Sequence, residues 1–391
     1  MGSPVRVLYS YPNRIGADRI CLTAWHQVNS VAAAGASVLA YPGAVARELP
    51  PEVQLKPTLA RGKLRVPYRM LGRRRALVVH DHVVARRLPK LRGRIDIVHT
   101  WPGGALETLR VARELGIPTV LERPNAHTRF AYDVVRREGE RIGVTLPPDH
   151  EHSYNADVLK REEEEFRTAD RLLCPSDFVL QSFREEGFAQ EKLVRHAYGF
   201  DESEFYADEG PRDPARPFTA LFVGHNALRK GLHYALEAWR GSHASASGRF
   251  LVVGELPSGY VEKIRPLLDQ PTVEVLGPQR DIAKLYRSSD ILLLPTLEEG
   301  SPLVCLEALG SGCVPVVSDV CASVCRDTEN ALVHAVGDVH TLTEQLTKLH
   351  DDRGFLERLR AGALASASGL TWKSAGARLF DVYREVVGSH H

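Results

Sequence analysis

Two carboxylates, Glu299 and Glu307, stand eight positions apart in the stretch ILLLPTLEEGSPLVCLEALGSGCVPVVS, residues 291–318. Glu307 is flanked by Val304, Cys305, Leu306, Ala308 and Leu309. A charge on so apolar a segment is expensive unless it is exposed or hydrogen-bonded. On an arbitrary helix it would simply look at solvent. Here Gly300 lets backbone come close to a ligand, and free N–H groups at a helix start attract anions such as phosphate. A second group with phosphate chemistry precedes it. Gly224 follows an apolar run, and Arg229, Lys230 and Gly231 stand where a helix should begin. A glycine after a strand with a lysine at the helix entry can cradle a diphosphate.

The elements that must position these groups are legible. Ile291 to Leu294 reads as a strand buried on both faces. Ser301 is the expected N-cap and Pro302 the first residue of a helix reaching about Leu309, which Gly310 and Gly312 stop. Pro315 to Ser318 begins the next strand. Ala220 to Val223 is a strand and Leu232 to Trp239 a helix. Phe250 to Val253 and Val273 to Leu276 are further strands, the second ending in Gly277, Pro278, Gln279 and Arg280. Strands alternating with helices predict parallel sheets, whose ligands bind at the strands' carboxyl edge.

Glu299, seven residues, then Glu307, followed by AlaLeuGlySerGlyCysValProValVal, resembles the signature of the retaining family-4 glycosyltransferases. The resemblance implies the α/β GT-B fold: two Rossmann-like domains with parallel sheets facing a central cleft, and a C-terminal helix crossing back to the first domain. It implies that Glu299 meets hydroxyls of a donor sugar and that Glu307 holds the nucleotide ribose. Backbone around Ser301, Pro302 and Leu303 would face sugar and diphosphate, although Pro302 has no N–H. The segment Gly224 to Gly231 is similar to the family's strand–Gly–Arg–loop–Lys–Gly motif. Lys230 fits, His225 stands where the family has arginine, and Arg229 is the candidate second cation. The turn Gly277–Gln279–Arg280 would meet the nucleotide base.

Earlier in the chain, Val5 to Tyr9 reads as a strand, Tyr11 to Asp18 as a loop, and Ile20 to Ala34 as a helix. Gly16, in that loop, is either a turn glycine or, by the resemblance, part of the cleft near phosphate or acceptor. Ser37 to Ala40 is a second strand. His99 ends the strand DIVHT, and His127 follows the strand at Thr119 to Leu121. A lone histidine is more often structural. The resemblance implies that His127 approaches the donor sugar, with His99 a weaker candidate for the cleft. Glu162 to Ala169 reads as a helix and Arg171 to Cys174 as a strand, with Ser176 capping the next helix. The domains are expected at 1–207 for the acceptor and 218–370 for the donor, joined by a linker at 208–217 rich in Asp, Gly and Pro. The closing helix, 371–388, is expected to pack on the first domain.

Composition narrows the class. The chain has 391 residues, enough for two cores, with 43% hydrophobic and 25% charged residues. A net charge of +1 argues against general nucleic-acid binding. No apolar run is long enough for a membrane span, and MGSPVRVLYSYP enters a strand without a signal-type segment. The expectation is a cytoplasmic protein. The six cysteines contain no Cys-x-x-Cys pair, so buried free thiols are expected. Residues 61–94 carry many arginines and lysines against Asp81 alone, interleaved with apolar residues. They form either helices with solvated faces or a docking surface for an anionic membrane or phosphorylated acceptor.

The combined expectation is a retaining hexosyltransferase acting on a nucleotide-diphosphate-sugar, UDP-sugar before GDP-mannose, and a hydroxyl acceptor. Domain closure would exclude water. No Asp-x-Asp occurs, so no metal and no cofactor are expected. The rivals are a GT-B phosphorylase or epimerase, and a catalytically silent scaffold of the same fold. No Gly-x-Gly-x-x-Gly follows a strand, which disfavours a dinucleotide-dependent dehydrogenase.

Overall fold

A computed structural model describes residues 4–61, 64–65, 72–210, 212–213, 215–225 and 227–390. The chain divides into two compact units. One comprises residues 1–124, 155–198 and 372–391; the other comprises 125–154 and 199–371.

In the first unit, β1 (Arg6–Ile15) is followed by α1 (Ile20–Ala33), β2 (Ser37–Val45) and β3 (Gln54–Leu55). A short hairpin, β4 (Ala60–Arg61) and β5 (Leu64–Arg65), precedes α2 (Arg73–Arg87). Then come β6 (Ile97–Thr100), α3 (Leu106–Glu114) and β7 (Thr119–Glu122). After α4 (Thr128–Ile142), which belongs to the second unit, the first unit resumes with α5 (Ala156–Thr168), β8 (Arg171–Cys174), α6 (Asp177–Glu185) and β9 (Leu193–Arg195). Its main sheet has the order β3-β2-β1-β6-β7-β8-β9, and all its pairings are parallel.

In the second unit, β10 (Thr219–Val223) leads to α7 (Leu232–Gly241), a short α8 (Ala244–Ser247) and β11 (Arg249–Val253). Next are α9 (Ser258–Leu268), β12 (Val273–Gly277), α10 (Ile282–Ser288) and β13 (Ile291–Leu294). The remainder is α11 (Leu303–Gly310), β14 (Val314–Ser318), β15 (Leu332–His334), α12 (Val339–Asp351) and α13 (Arg353–Ala367). Its six strands follow the order β12-β11-β10-β13-β14-β15, again in parallel pairs. Ile291 to Leu294 are wholly buried, as a parallel strand covered on both faces requires.

The closing helix α14 (Trp372–Gly388) groups with the first unit, as expected. Its buried residues Ala375, Gly376, Leu379, Val382, Tyr383 and Val386 recur at helical spacing. A side chain at Gly376 would meet Ser30 Cβ of α1 at 2.1 Å, so only glycine lets the two helices approach this closely.

Several boundaries differ from expectation. The first strand does not stop at Tyr9: β1 continues to Ile15 beside β2, with a register shift between Tyr11 and Arg14. Pro12 and Asn13 look like loop residues and fall within that shift, but Tyr11, Arg14 and Ile15 on either side find partners on β2 that local propensity ignores. The helix expected at 162–169 begins at Ala156, capped by Asn155, whose Oδ1 accepts from Val158 N–H at 3.0 Å. The units change at Tyr198/Gly199 rather than across 208–217, and 125–154 groups with the second unit. Within that unit Glu138 of α4 bonds His233 of α7, and Ala126 bonds Glu298. Of the basic stretch 61–94, residues 62–63 and 66–71 lie outside the described residues; the remainder includes α2, where Arg73, Arg74 and Arg75 are exposed. No helix among the described residues is long and apolar enough to cross a membrane.

Candidate functional site

The order of the second sheet places β11 and β13 on either side of β10, so the chain's winding reverses between β10 and β13. Crevices at such switch points, beyond the strands' carboxyl ends, are where ligands bind in open α/β sheets. The loop after β10 carries Gly224, His225, Arg229 and Lys230; the loop after β13 carries Glu298, Glu299 and Gly300. Because β10 and β13 are neighbours, paired at Ala220–Ile291 and Leu221–Leu292, these two loops meet.

Lys230 Nζ donates to Glu299 Oε2, and Gly300 N–H donates to Glu299 Oε1 at 3.0 Å. Arg229 Nη1 stands 3.9 Å from Glu299 Oε1 and donates to Glu298 at 2.7 Å (carbonyl) and 3.0 Å (Oε2). All four side chains are buried. Burial pushes the Glu299 carboxyl up, but Lys230 and then Arg229 outweigh it and hold it below the usual carboxylate range. It is therefore an anion held between cations. Arg229 Nε is buried and has no hydrogen-bond partner among the described residues.

The backbone of the cation loop is anchored to the carboxylate loop. Arg229 carbonyl accepts from Leu297 N–H at 2.9 Å and Thr296 Oγ1 at 3.1 Å. Gly231 has φ +68°, and a Cβ there would lie 2.0 Å from Pro295 carbonyl oxygen, so only glycine fits. Gly224 lies against the stem of Lys230; a Cβ on it would be 3.2 Å from Lys230 Cγ. His225 is half-buried next to it, and Asn226 lies outside the described residues.

Glu298, absent from the sequence-based candidates, is as central as Glu299. It is wholly buried and ties Arg229 to Ala126, whose N–H donates to its Oε1 at 3.1 Å. The only sequence signal was two consecutive glutamates after a strand. His127 follows Ala126 and is buried; its Nδ1 accepts from Arg129 N–H at 3.3 Å, capping α4. It thus lies beside the residue that binds Glu298.

The other carboxylate of the pair has a different environment. Glu307 Oε2 accepts from Tyr286 on α10 at 3.1 Å. Burial is the largest influence and lifts its carboxyl to about 7 despite that bond. Ser301 does not cap the helix: α11 begins at Leu303 with Pro302 in the cap position and no side-chain cap bond. Leu303 N–H donates to Ser301 carbonyl at 2.8 Å and Gly300 N–H to Glu299, so these two N–H groups have internal acceptors. The proline's ψ of 85° turns the backbone out of helix there. Gly277, Gln279 and Arg280 follow the outer strand β12; Gln279 and Arg280 are exposed.

Two candidates fall in the first unit. Gly16 has φ +76° in the turn after β1, where its N–H donates to Cys21 carbonyl at 3.0 Å. His99 is wholly buried. Its Nδ1 bonds Tyr383 Oη of α14 at 2.7 Å, and its Nε2 is 3.5 Å from Glu122. Glu122 also accepts from Gln27 at 2.9 Å and Tyr198 at 2.9 Å. His99 therefore belongs to a buried network that fastens the closing helix, not to an open surface.

Comparison with known proteins fits this architecture. Residues 217–352 match the family described as Glycosyl transferases group 1. A D-inositol 3-phosphate glycosyltransferase of Thermobifida fusca is 25% identical over 388 aligned positions, covering 90% of this chain and 85% of that protein. WcaL of Salmonella typhimurium, provisionally named a colanic acid biosynthesis glycosyltransferase, is 29% identical over 168, 40% of each chain. This chain thus aligns with less than half of that relative's length. Among solved structures, the sucrose-phosphate synthase of Thermosynechococcus elongatus superposes with a TM-score of 0.72 at 17% identity, covering 99% of this chain and 100% of that one. Anabaena Alr3699/HepE, solved in complex with UDP, gives 0.65 at 14%, covering 97% and 100%. The fold is the expected one: two Rossmann-like parallel-sheet domains of the GT-B class.

Proposed function

We propose that this chain, whose residues 217–352 match the glycosyl transferases group 1 family, moves a sugar from a nucleotide-diphosphate-sugar to a hydroxyl acceptor. The transfer retains anomeric configuration and uses no metal ion or other cofactor. A UDP-sugar is the favoured donor and GDP-mannose the next. The observation that carries this reading is the pair Lys230–Glu299 beside Arg229, buried at the switch point of the second sheet.

Breaking the anomeric C–O bond builds positive charge on the sugar and negative charge on the leaving diphosphate. An ammonium has three N–H donors, and Glu299 accepts from Lys230; the others can serve a phosphate oxygen. Arg229 Nε, buried without an acceptor among the described residues, is a second donor for the ligand. Such an orphan costs about 1–3 kcal/mol, which an anionic ligand would offset. Fixed cations in a dry site stabilise the departing charge as it develops. In this reading Glu299 accepts from hydroxyls of the sugar, His127 approaches the same sugar, Glu307 holds the ribose, and Gly277, Gln279 and Arg280 border the base. The complexes of HepE with UDP and with UDP-glucose support the order of donors.

The relatives' names differ, one referring to D-inositol 3-phosphate and the other to colanic acid biosynthesis, so the acceptor is proposed only as a hydroxyl. We place the protein in the cytoplasm, with the exposed Arg73, Arg74 and Arg75 of α2 facing an anionic membrane or phosphorylated acceptor.

The experiment is a thermal-shift and hydrolysis screen against UDP, GDP, ADP and their sugar conjugates, with and without EDTA. One series that stabilises the fold, with slow sugar release in EDTA, supports the reading and names the donor. No stabilisation by any of them would move the weight to a silent scaffold.

A further inference from the structure

Glu138, His233 and Tyr260 are absent from the roles just assigned, yet their hydrogen bonds end on the loop that carries the two cations. Glu138 lies on α4, His233 in the first turn of α7, and Tyr260 on α9. All three are buried. His233 Nε2 is 2.7 Å from Glu138 Oε1, and His233 Nδ1 is 2.9 Å from Tyr260 Oη. The same phenol accepts from His233 N–H at 3.0 Å and reaches Ala227 carbonyl at 3.4 Å. Ala227 carbonyl also accepts from Leu232 N–H at 3.1 Å, closing the turn that contains Arg229 and Lys230. At the far end, Arg141 Nη2 holds Glu138 at 2.6 Å.

The cation loop is therefore gripped on two sides. The bonds of Arg229 carbonyl to Thr296 and Leu297 fix one side, and the phenol beside Ala227 fixes the other. We propose that Glu138, His233 and Tyr260 form a positioning relay that sets Arg229 and Lys230 in register for the diphosphate of the donor. The relay rests on the donor reading given above. None of its members touches substrate. Its effect passes through the backbone at Ala227, where a displacement of an ångström can cost as much as about 10²-fold in rate.

A relay predicts a loss specific to phosphate, whereas a merely structural contact would weaken every ligand alike or none. Tyr260→Phe removes one oxygen and keeps the ring. We expect it to weaken UDP roughly five- to tenfold, the worth of one or two hydrogen bonds, and to leave UMP nearly unchanged. Donor kcat should fall by a similar factor. Glu138→Ala should do the same, and Glu138→Gln, which can still accept from His233, should restore most of the affinity. Binding to the full chain is read by calorimetry with UDP and UMP, and with GDP and GMP as a second pair. A wild-type protein that discriminates diphosphate from monophosphate, with Tyr260→Phe discriminating equally well, overturns the relay alone. A wild-type protein that binds none of the four overturns the donor reading, and the relay with it. Should Glu138→Ala not fold, Tyr260→Phe decides.

Discussion

Lys230 and Glu299 are hydrogen-bonded across 69 residues of chain, at the ends of loops that leave neighbouring strands of one parallel sheet. Neither charge is exposed: Lys230 has Glu299 as its counter-charge, and Glu299 has Lys230 with Arg229 beside it.

Lys230→Met should lower kcat by about 10²–10³-fold, the usual loss for one fixed group at a developing charge. It should also cost stability, up to about 3–5 kcal/mol, because the buried Glu299 loses its direct cation and keeps only Arg229 at 3.9 Å and Gly300 N–H. Glu299 is held below the usual carboxylate range, so its stabilisation is present above the unfolded value and lost as pH falls through the folded one. Lys230→Met should flatten that acid limb. Adding Glu299→Gln should recover the melting temperature but not turnover, which separates the structural role of the pair from the catalytic one.

Glu299→Ala and Glu307→Ala should divide the labour. The first should lose turnover more than nucleotide affinity, and the second should weaken the nucleotide itself. Steady-state kinetics beside equilibrium titration of both variants decides it; equal effects on both quantities would contradict the assignment.

Glu307 predicts a pH dependence of opposite sign. Its carboxyl is lifted by burial to about 7 in the folded chain, against an ordinary value of 4.5. Between those values the folded protein keeps a proton that the unfolded chain has released. Stability should therefore fall as pH rises from about 4.5 to 7, by roughly 1–3 kcal/mol, and then level off. Denaturant midpoints across that range should show the slope in wild type and lack it in Glu307→Gln. Nucleotide affinity, compared between the same two proteins, should rise through pH 7 only where the carboxylate can form.

Tyr383→Phe tests the placement of His99. Removing the phenol should lower stability by about 1–3 kcal/mol, because His99 Nδ1 loses its buried partner. Turnover should be unchanged. A large loss of turnover with intact melting would return His99 to a role at substrate.

The basic first turn of α2 predicts binding to vesicles containing anionic lipid at low salt, weakened by replacing Arg73, Arg74 and Arg75 with glutamine. Flotation reads it directly. Absence of binding at low salt would remove the membrane from the proposal and leave the phosphorylated acceptor.

The sequence by itself determined the strand run at 291–294, the helix after Gly231 and the parallel α/β class, because apolar periodicity and glycine punctuation are local properties, while the closing helix was expected from the family resemblance. It also marked Glu299, Lys230 and Arg229 as a group, through spacing that resembles a known signature. The tertiary structure decided who meets whom. Glu298 gains its importance from Arg229 and Ala126, distant residues that no local pattern connects to it. Ser301 looked like a cap, but the path fixed by Pro302 moved the helix start to Leu303. His99 stood at a promising strand end, yet Tyr383, 284 residues away, fills the space beside it. Glu138 and His233 carried no signal, since a buried hydrogen bond between two helices depends on packing geometry that the order of residues does not state. Local backbone preference acts over a few residues, whereas the partners of a buried charge are set by the whole fold.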